Sequence, residues 1–303
     1  MKGGIYMMVT AMKSKIGLVT NSFIPVPMND VVMEIVEGIG NLRNADEPSS
    51  QLFFNELVVC TQKNNKISIA VTDKLNVNDI TEIKKLIRPS QIQLLIYILF
   101  SWRRHQNKEF IFNVGEYFSL KGIRRRAENM KRLREDLSIL SSINIEIVGR
   151  KKGKEYQVYG NLLTFDMIGR DIYIQLGTWI DNLDPHPFTL INQNFFIPHY
   201  KNHIPLVMLS LKFAQLCKLN AKKASGELVV HHDTLLKFLG ITHQQIKKQG
   251  YSYYVEMFSS MFYQLAFEGY EIYFLTDIHD YFSFLNAKVA YKNTRLKEYY
   301  ESM

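Results

Sequence analysis

The sequence has little cysteine. Its two residues in 303, Cys60 and Cys217, are too few for a disulfide framework and form no CxxC for a structural zinc. It also lacks long hydrophobic runs. The longest, Leu94 to Phe100, is far short of the ~20 residues that span a bilayer, so no membrane-embedded role is expected. There is no GxxxxGK[ST], GxGxxG or HExxH, which leaves nucleotide hydrolysis, a dinucleotide cofactor and zinc proteolysis unsupported. A His-apolar-His pair of the kind rolling-circle nucleases use is missing too. In Val230-His231-His232-Asp233 the neighbours would face opposite sides of a strand, and His186 has Phe188 where a partner is needed. Asp277, His279 and Asp280 stand close in sequence and read as a polar turn rather than a metal site. No repeat of solenoid period occurs. Lys13 and Lys15 interrupt any secretory core, so a cytoplasmic chain is expected. The expectation is a non-enzyme with no cofactor and no metal.

What the sequence does have is charge. Hydrophobic residues are 47% and charged residues 22%, an ordinary globular composition, with a net charge of +8. That excess is local. Residues 101–154 hold 14 basic and 6 acidic side chains, while the rest of the chain holds 23 of each. A general solubility bias would be spread out. A concentrated one suggests a polyanionic partner.

The local signals place this charge on particular elements. Glu56–Cys60 and Lys66–Val71 read as strands around a Lys63-Asn64-Asn65 turn, and residues 40–52 as an exposed loop. Asp79 and Glu82 have capping-box spacing for a short helix that Pro89 stops. A helix follows from Pro89 to about Gln106. It is apolar on all faces around Leu94–Phe100, so it is expected to be buried. Glu109–Phe112 is a short strand. Asn113 and Glu116 mark the cap of a helix to about Leu120, and Gly122 suits a left-handed turn. A second helix is expected from Arg124 to about Leu140. Its stripe of Ile123, Met130, Leu133, Leu137 and Leu140 faces inward, with Arg124, Arg125, Glu128, Lys131, Arg132 and Glu135 outward. Ile143–Val148 and Tyr156–Tyr159 form a hairpin whose tip carries Arg150, Lys151, Lys152 and Lys154.

Helix, strand, short helix, tight turn, basic helix and basic-tipped hairpin is the order of a winged helix-turn-helix. A helix fits the major groove of DNA, and Arg can grip guanine edges or phosphates bidentately. The bland alternative is a solvated basic helix, with Glu128 and Glu135 pairing with Arg132 and Lys131. A similar order recurs in residues 170–303. There, Asp171–Leu176 is a strand, an apolar helix runs to about Leu219, and Gly226–Val230 is a strand. A short helix follows from Leu235 to Leu239 and ends at Gly240. A loop with Lys247 and Lys248 then leads into a long helix from about Tyr251 to Phe267, and a strand starts at Glu271. That long helix is aromatic and nearly neutral (Tyr251, Tyr253, Tyr254, Phe258, Phe262, Tyr263), which equally suits a core or an interface. Lys222, Lys223, Lys247 and Lys248 are the candidate phosphate contacts.

The expected fold is therefore α+β, with two tandem winged helix-turn-helix domains. A partly β N-terminal segment covers 1–75, a basic first domain 76–165 and a second domain 166–303. Over roughly residues 75–285 this order resembles the plasmid replication initiators of the Rep type. The resemblance is clearest at Arg170–Gln175, Leu209–Lys212 and Leu235–Ile241. It implies binding to repeated origin sites in double-stranded DNA, a monomer–homodimer balance and recruitment of host replication proteins. No membrane partner is expected, because the basic helix has no broad aromatic apolar face to spare from the core. Such initiators commonly read the major groove most strongly with the second domain, whereas the charge here favours the first. The expected DNA-binding residues are Lys121, Arg124, Arg125, Lys131, Arg132, Arg150, Lys151, Lys152, Lys154, Lys247 and Lys248. A winged-helix transcriptional regulator, or a protein-interaction module with an incidental basic patch, stays open as an alternative.

Overall fold

In the computed structural model the described residues are 23–41, 52–53, 56–57, 66–71, 86–151, 154–183, 188–197, 203–221 and 228–301. The side chains of 52–71 and 149–156 are not described. The cap expected at Asp79–Glu82, most of the 40–52 loop, the Lys63–Asn65 turn, Lys222 and Lys223 lie outside the described residues.

The fold is mixed helix and sheet. Strand β1 (Phe23–Val26) leads into helix α1 (Asp30–Asn41). Asn29 caps that helix through its side chain, which accepts the Val32 N–H at 3.0 Å. Val32, Ile35, Val36 and Ile39 form its buried face, at the i, i+3, i+4, i+7 spacing of a helix packed on one side. Three short strands follow: β2 (Leu52–Phe53), β3 (Glu56–Leu57) and β4 (Lys66–Val71).

The first unit begins with helix α2 (Pro89–His105). Proline at its start loses no needed hydrogen bond. The Arg88 N–H donates to Gln91 Oε1 at 3.0 Å, and Gln106 ends the helix in a left-handed conformation at φ 52°. Leu94 to Leu99 are fully buried, as the all-apolar run requires. Next come β5 (Glu109–Ile111) and α3 (Val114–Leu120). Asn113 caps α3 by accepting the Glu116 N–H at 3.0 Å. Gly122, at φ 63°, closes α3, and the Ile123 N–H reaches back to the Phe118 carbonyl at 2.9 Å. Helix α4 (Ala127–Ser141) buries Leu133, Leu137, Ile139 and Leu140.

Two hairpins follow α4, not one. The first is β6 (Ile143–Lys151) with β7 (Lys154–Asn161). It pairs outward with β4, Lys66 opposite Val148. The second is β8 (Leu163–Ile168) with β9 (Asp171–Leu176), joined by the two-residue turn Gly169-Arg170. Gly169 at φ 63° occupies the first turn position, where a tight hairpin matching the strand twist wants glycine. Here β9 pairs with β5, Glu109 opposite Gln175, giving the sheet order β5-β9-β8. A domain boundary at 165/166 therefore falls inside β8, a strand of the first unit's own sheet. The alternation expected at Asp171–Leu176 is present, but it belongs to the first unit.

A 3-10 turn (Thr178–Asn182), β10 (Thr189–Asn192) and a second 3-10 turn (Gln193–Phe196) lead to the second unit. That unit contains α5 (Ile204–Leu219), β11 (Leu228–His231), α6 (His232–Phe238), α7 (His243–Gln249), α8 (Tyr251–Leu265), β12 (Glu271–Phe274), α9 (Tyr281–Leu285), β13 (Lys288–Lys292) and α10 (Thr294–Glu301). Its sheet order is β11-β13-β12, again first, last, middle. Gly240 (φ 65°) ends α6 with the Ile241 N–H on the Leu236 carbonyl at 2.9 Å, the same turn as at Gly122. One difference is α7. Thr242 and Gln245 cap each other, so Lys247 and Lys248 stand on a short helix rather than in a loop.

The N-terminal segment is part of this core. β1 pairs with β10, and α1 packs against α5 and α2. A single cluster of buried side chains runs through both units. Inside it, Glu268 is buried and accepts a hydrogen bond from the Ser210 hydroxyl. Burial pushes its carboxyl from 4.5 up to about 7. The folded state then keeps a proton that the unfolded chain releases, so this group's stabilisation is full below pH 4.5 and fades as pH rises to 7. At about 1.4 kcal/mol per tenfold change, the loss is about 3 kcal/mol. Glu268→Gln should flatten the fall in thermal stability between pH 5 and pH 8; an unchanged pH slope would show that Glu268 is not its source.

Candidate nucleic-acid interface

The helix after the Gly122 turn starts later than the spacing predicts. Arg124, Arg125 and Arg126 form an extended connection, with Arg126 at φ −115°, ψ 159°, and α4 begins at Ala127. The Gly122 turn takes up Ile123 as an inward-facing residue, and the chain must straighten before it can re-enter a helix. Arg124 and Arg125 are thus exposed on a turn, not on a helical face. Lys131 and Arg134 continue the exposed surface along α4.

Among the described residues, Arg124, Arg125, Arg126, Lys131, Arg134 and Arg170 make no ion pair. Arg132 does: its guanidinium lies 2.6 Å from Glu128, one turn back. Both side chains are well exposed, and such a pair is worth roughly 0.3–0.5 kcal/mol, so Arg132 is readily exchanged to another anion. Glu135 faces Arg88 at 3.5 Å, not Lys131.

Lys121 does not join this surface. It is half-buried, with its ammonium 3.5 Å from the Tyr117 hydroxyl and 5.4 Å from the centre of that ring. Burial lowers its pKa, against the nearby Asp136, whose own carboxyl burial raises. Lys121 serves the interior between α3 and α4. For the β6–β7 hairpin, the ladder runs to Lys151 opposite Lys154, with Lys152 outside the described residues. The side chains of Arg150, Lys151 and Lys154 lie outside the described residues.

The hairpin beside the Arg124–Arg126 turn is β8–β9. The Arg125 guanidinium donates to the Arg170 carbonyl at 3.3 Å, which sets the hairpin tip against the start of α4. Arg126, Arg134 and Arg170 are absent from the set expected from sequence. Arg170 had a readable signal, since Gly169-Arg170 divides two alternating runs.

The second unit presents a different surface. Its helix α8 buries Tyr254, Phe258 and Phe262 and exposes Ser252, Tyr253, Glu256, Ser259, Ser260 and Tyr263, with no cation among them. Lys247 sits 5.9 Å from the Tyr281 ring centre, and Lys248 is exposed. Phe282, in the connection between β12 and β13, is 72% exposed. Asp280 caps α9, its Oδ1 accepting the Ser283 N–H at 2.7 Å. Among the described residues no group of three or more His, Cys, Asp or Glu is arranged to hold a metal, and no helix is long and apolar enough to cross a membrane. His232 is a core residue, with Nδ1 3.0 Å from the Phe284 carbonyl and its ring against Phe258, Phe274 and Phe284.

No protein-family model matches the chain, and no curated protein matches it. Among solved structures it is similar to domains 2 and 3 of RctB. One such structure, of a selenomethionine derivative, has 11% identity, covers 85% of this chain and 98% of its own, and has a TM-score of 0.46. Another structure of RctB domains 2–3 has 10% identity, covers 86% and 99%, and has a TM-score of 0.45. Likeness at this level fixes neither an activity nor a partner.

Proposed function

We propose that the chain is a sequence-specific double-stranded DNA-binding protein that initiates replication at repeated origin sites of a plasmid or mobile element. In this reading both units are winged helix-turn-helix domains. Helices α3 and α4 form the helix-turn-helix of the first, and β8–β9 is its wing. Two features support the domain reading: the shared sheet order, first strand, last strand, middle strand, and the matching glycine turns at Gly122 and Gly240.

The observation that carries the DNA reading is the row of exposed cations that have no carboxylate partner among the described residues: Arg124, Arg125, Arg126, Lys131, Arg134 and Arg170. Three of them precede the helix that would enter the major groove, Arg170 is joined to them by its carbonyl bond from Arg125, and Lys131 and Arg134 extend along the helix. An isolated exposed cation tells little; four at the head of one helix and two along it have the form of a phosphate-contacting surface. The initiator role rests on the resemblance in element order to Rep-type initiators. The reading calls for no catalytic group and no cofactor. Its partners are origin DNA, host replication proteins and, through a monomer–dimer balance, a second copy.

Footprinting of the purified chain on its own gene and the flanking intergenic DNA tests this directly. Protection of an iterated sequence is the expected result; absence of any protected site overturns the reading. The cation-free aromatic surface of α8, with Tyr253 and Tyr263 exposed, favours a second role for the second unit as a protein-docking surface.

A further inference from the structure

We propose that the cleft between the end of α2, the start of α3, the Arg124–Arg126 turn and the β8–β9 tip is a phosphate-binding site, occupied by a phosphodiester of duplex DNA. The proposal rests on the DNA-binding reading above and gives it a specific contact. The cleft measures about 360 Å³. Four basic side chains from three separate stretches of chain line it: Arg104 and His105 from α2, Arg125 from the turn, and Arg170 from the hairpin tip.

Two acids also line it, Glu116 and Asp171. Glu116 is already matched: Arg104 bonds both its carboxylate oxygens at 2.8 and 2.9 Å, and the Tyr97 hydroxyl donates to it at 3.0 Å. The remaining acid of the lining, Asp171, forms no ion pair with Arg125 or Arg170 among the described residues. The Arg125 guanidinium gives one of its five N–H groups to the Arg170 carbonyl, and the rest stay available to an incoming anion. His105 is held flat against Phe110, ring centres 5.6 Å apart at 9°, so its imidazole stands fixed at the cleft wall. A planar fork held in place suits a phosphate, which accepts bidentate guanidinium bonds. Arg124 and Arg126 flank Arg125 in the chain, and Lys131 follows on α4, so the cleft lies next to further exposed cations in sequence. The equivalent turn of the second unit, Ile241 and Thr242, has no cation.

The test compares the full chain with its Arg125→Gln/Arg170→Gln variant, and with Lys297→Gln as a charge control on α10. Duplex-DNA affinity is measured across salt concentration, and calorimetry with pyrophosphate probes for a free phosphate ligand. Both residues are exposed and the one bond lost, from Arg125 to the Arg170 carbonyl, is a surface bond, so thermal melting should stay within a few degrees of the wild type. At about −0.9 per contact, the double variant should flatten the log–log salt slope by about 2 and bind about 30-fold more weakly at 150 mM salt. The charge control should do neither, and pyrophosphate should show no saturable binding. A wild type with a steep slope that the double variant keeps overturns the cleft proposal while leaving the DNA reading intact. A wild type without salt-dependent DNA binding, but with saturable pyrophosphate binding lost in the double variant, overturns the DNA source and leaves a site for a free phosphorylated ligand. Absence of both kinds of binding overturns both.

Discussion

Replacing Arg124, Arg126 and Lys131 together with glutamine should lower affinity for duplex DNA about a hundredfold at 150 mM salt. The figure follows from counterion release. Each lost phosphate contact removes about 0.9 from the log–log salt slope, which at this salt is worth roughly fivefold in affinity, and three contacts multiply. The three side chains are exposed and make no ion pair among the described residues, so the fold should be unaffected. Arg132→Gln alone should do less, because its guanidinium already lies against Glu128. Fluorescence anisotropy with a labelled duplex at several salt concentrations, beside a melting curve, reads both quantities. Lost affinity with an unchanged slope would make the three residues something other than phosphate contacts. Lost melting temperature would make them structural.

Gly177→Ala should be the most damaging of small substitutions. Its backbone is ordinary, at φ −65°, so conformation is not the issue. A Cβ there would lie 1.8 Å from the Asn161 carbonyl oxygen and 2.9 Å from the Trp179 ring. The first obstacle is backbone, which cannot swing aside as a flexible side chain would. Gly177 also donates its N–H to the Leu162 carbonyl at 3.2 Å, and the Trp179 indole donates to that same carbonyl at 2.8 Å. Relief of the clash must therefore separate the end of β9 from the end of β7. The cost should be about 3 kcal/mol, a fall of roughly 5–10 °C in melting temperature. Gly160→Ala is the control: its Cβ would meet only the Thr178 hydroxyl at 3.4 Å, an ordinary contact. Equal melting of the two variants would contradict the close packing of these hairpins.

What could be read from sequence was local. The buried run Leu94–Leu99, the Asn113 cap, the glycine turns and the apolar stripe of α4 all follow from periodicity or from a residue with one physical role. The start of α4 was not legible because arginine is a good helix former and no Ser, Thr, Asp or Asn stands at its N-cap. Strand pairing was illegible for a different reason. β4 meets β6, and β5 meets β9, across long stretches of chain, and alternation in a strand says which face is buried but not which strand lies alongside. The consequence for the site was direct: the hairpin completing the first unit's sheet is β8–β9, so Arg170 belongs at the basic surface. Two further signals are carried by the sequence: the helical spacing of Val32, Ile35, Val36 and Ile39, and the reciprocal cap of Thr242 and Gln245.

Photo-cross-linking of the full chain to a duplex carrying its protected site, with the modified peptides identified by mass spectrometry, asks most directly which surface holds DNA. Adducts within residues 121–134 and 168–171 are the predicted result. Adducts confined to residues 243–265, or none at all, would contradict a DNA-binding surface on the first unit.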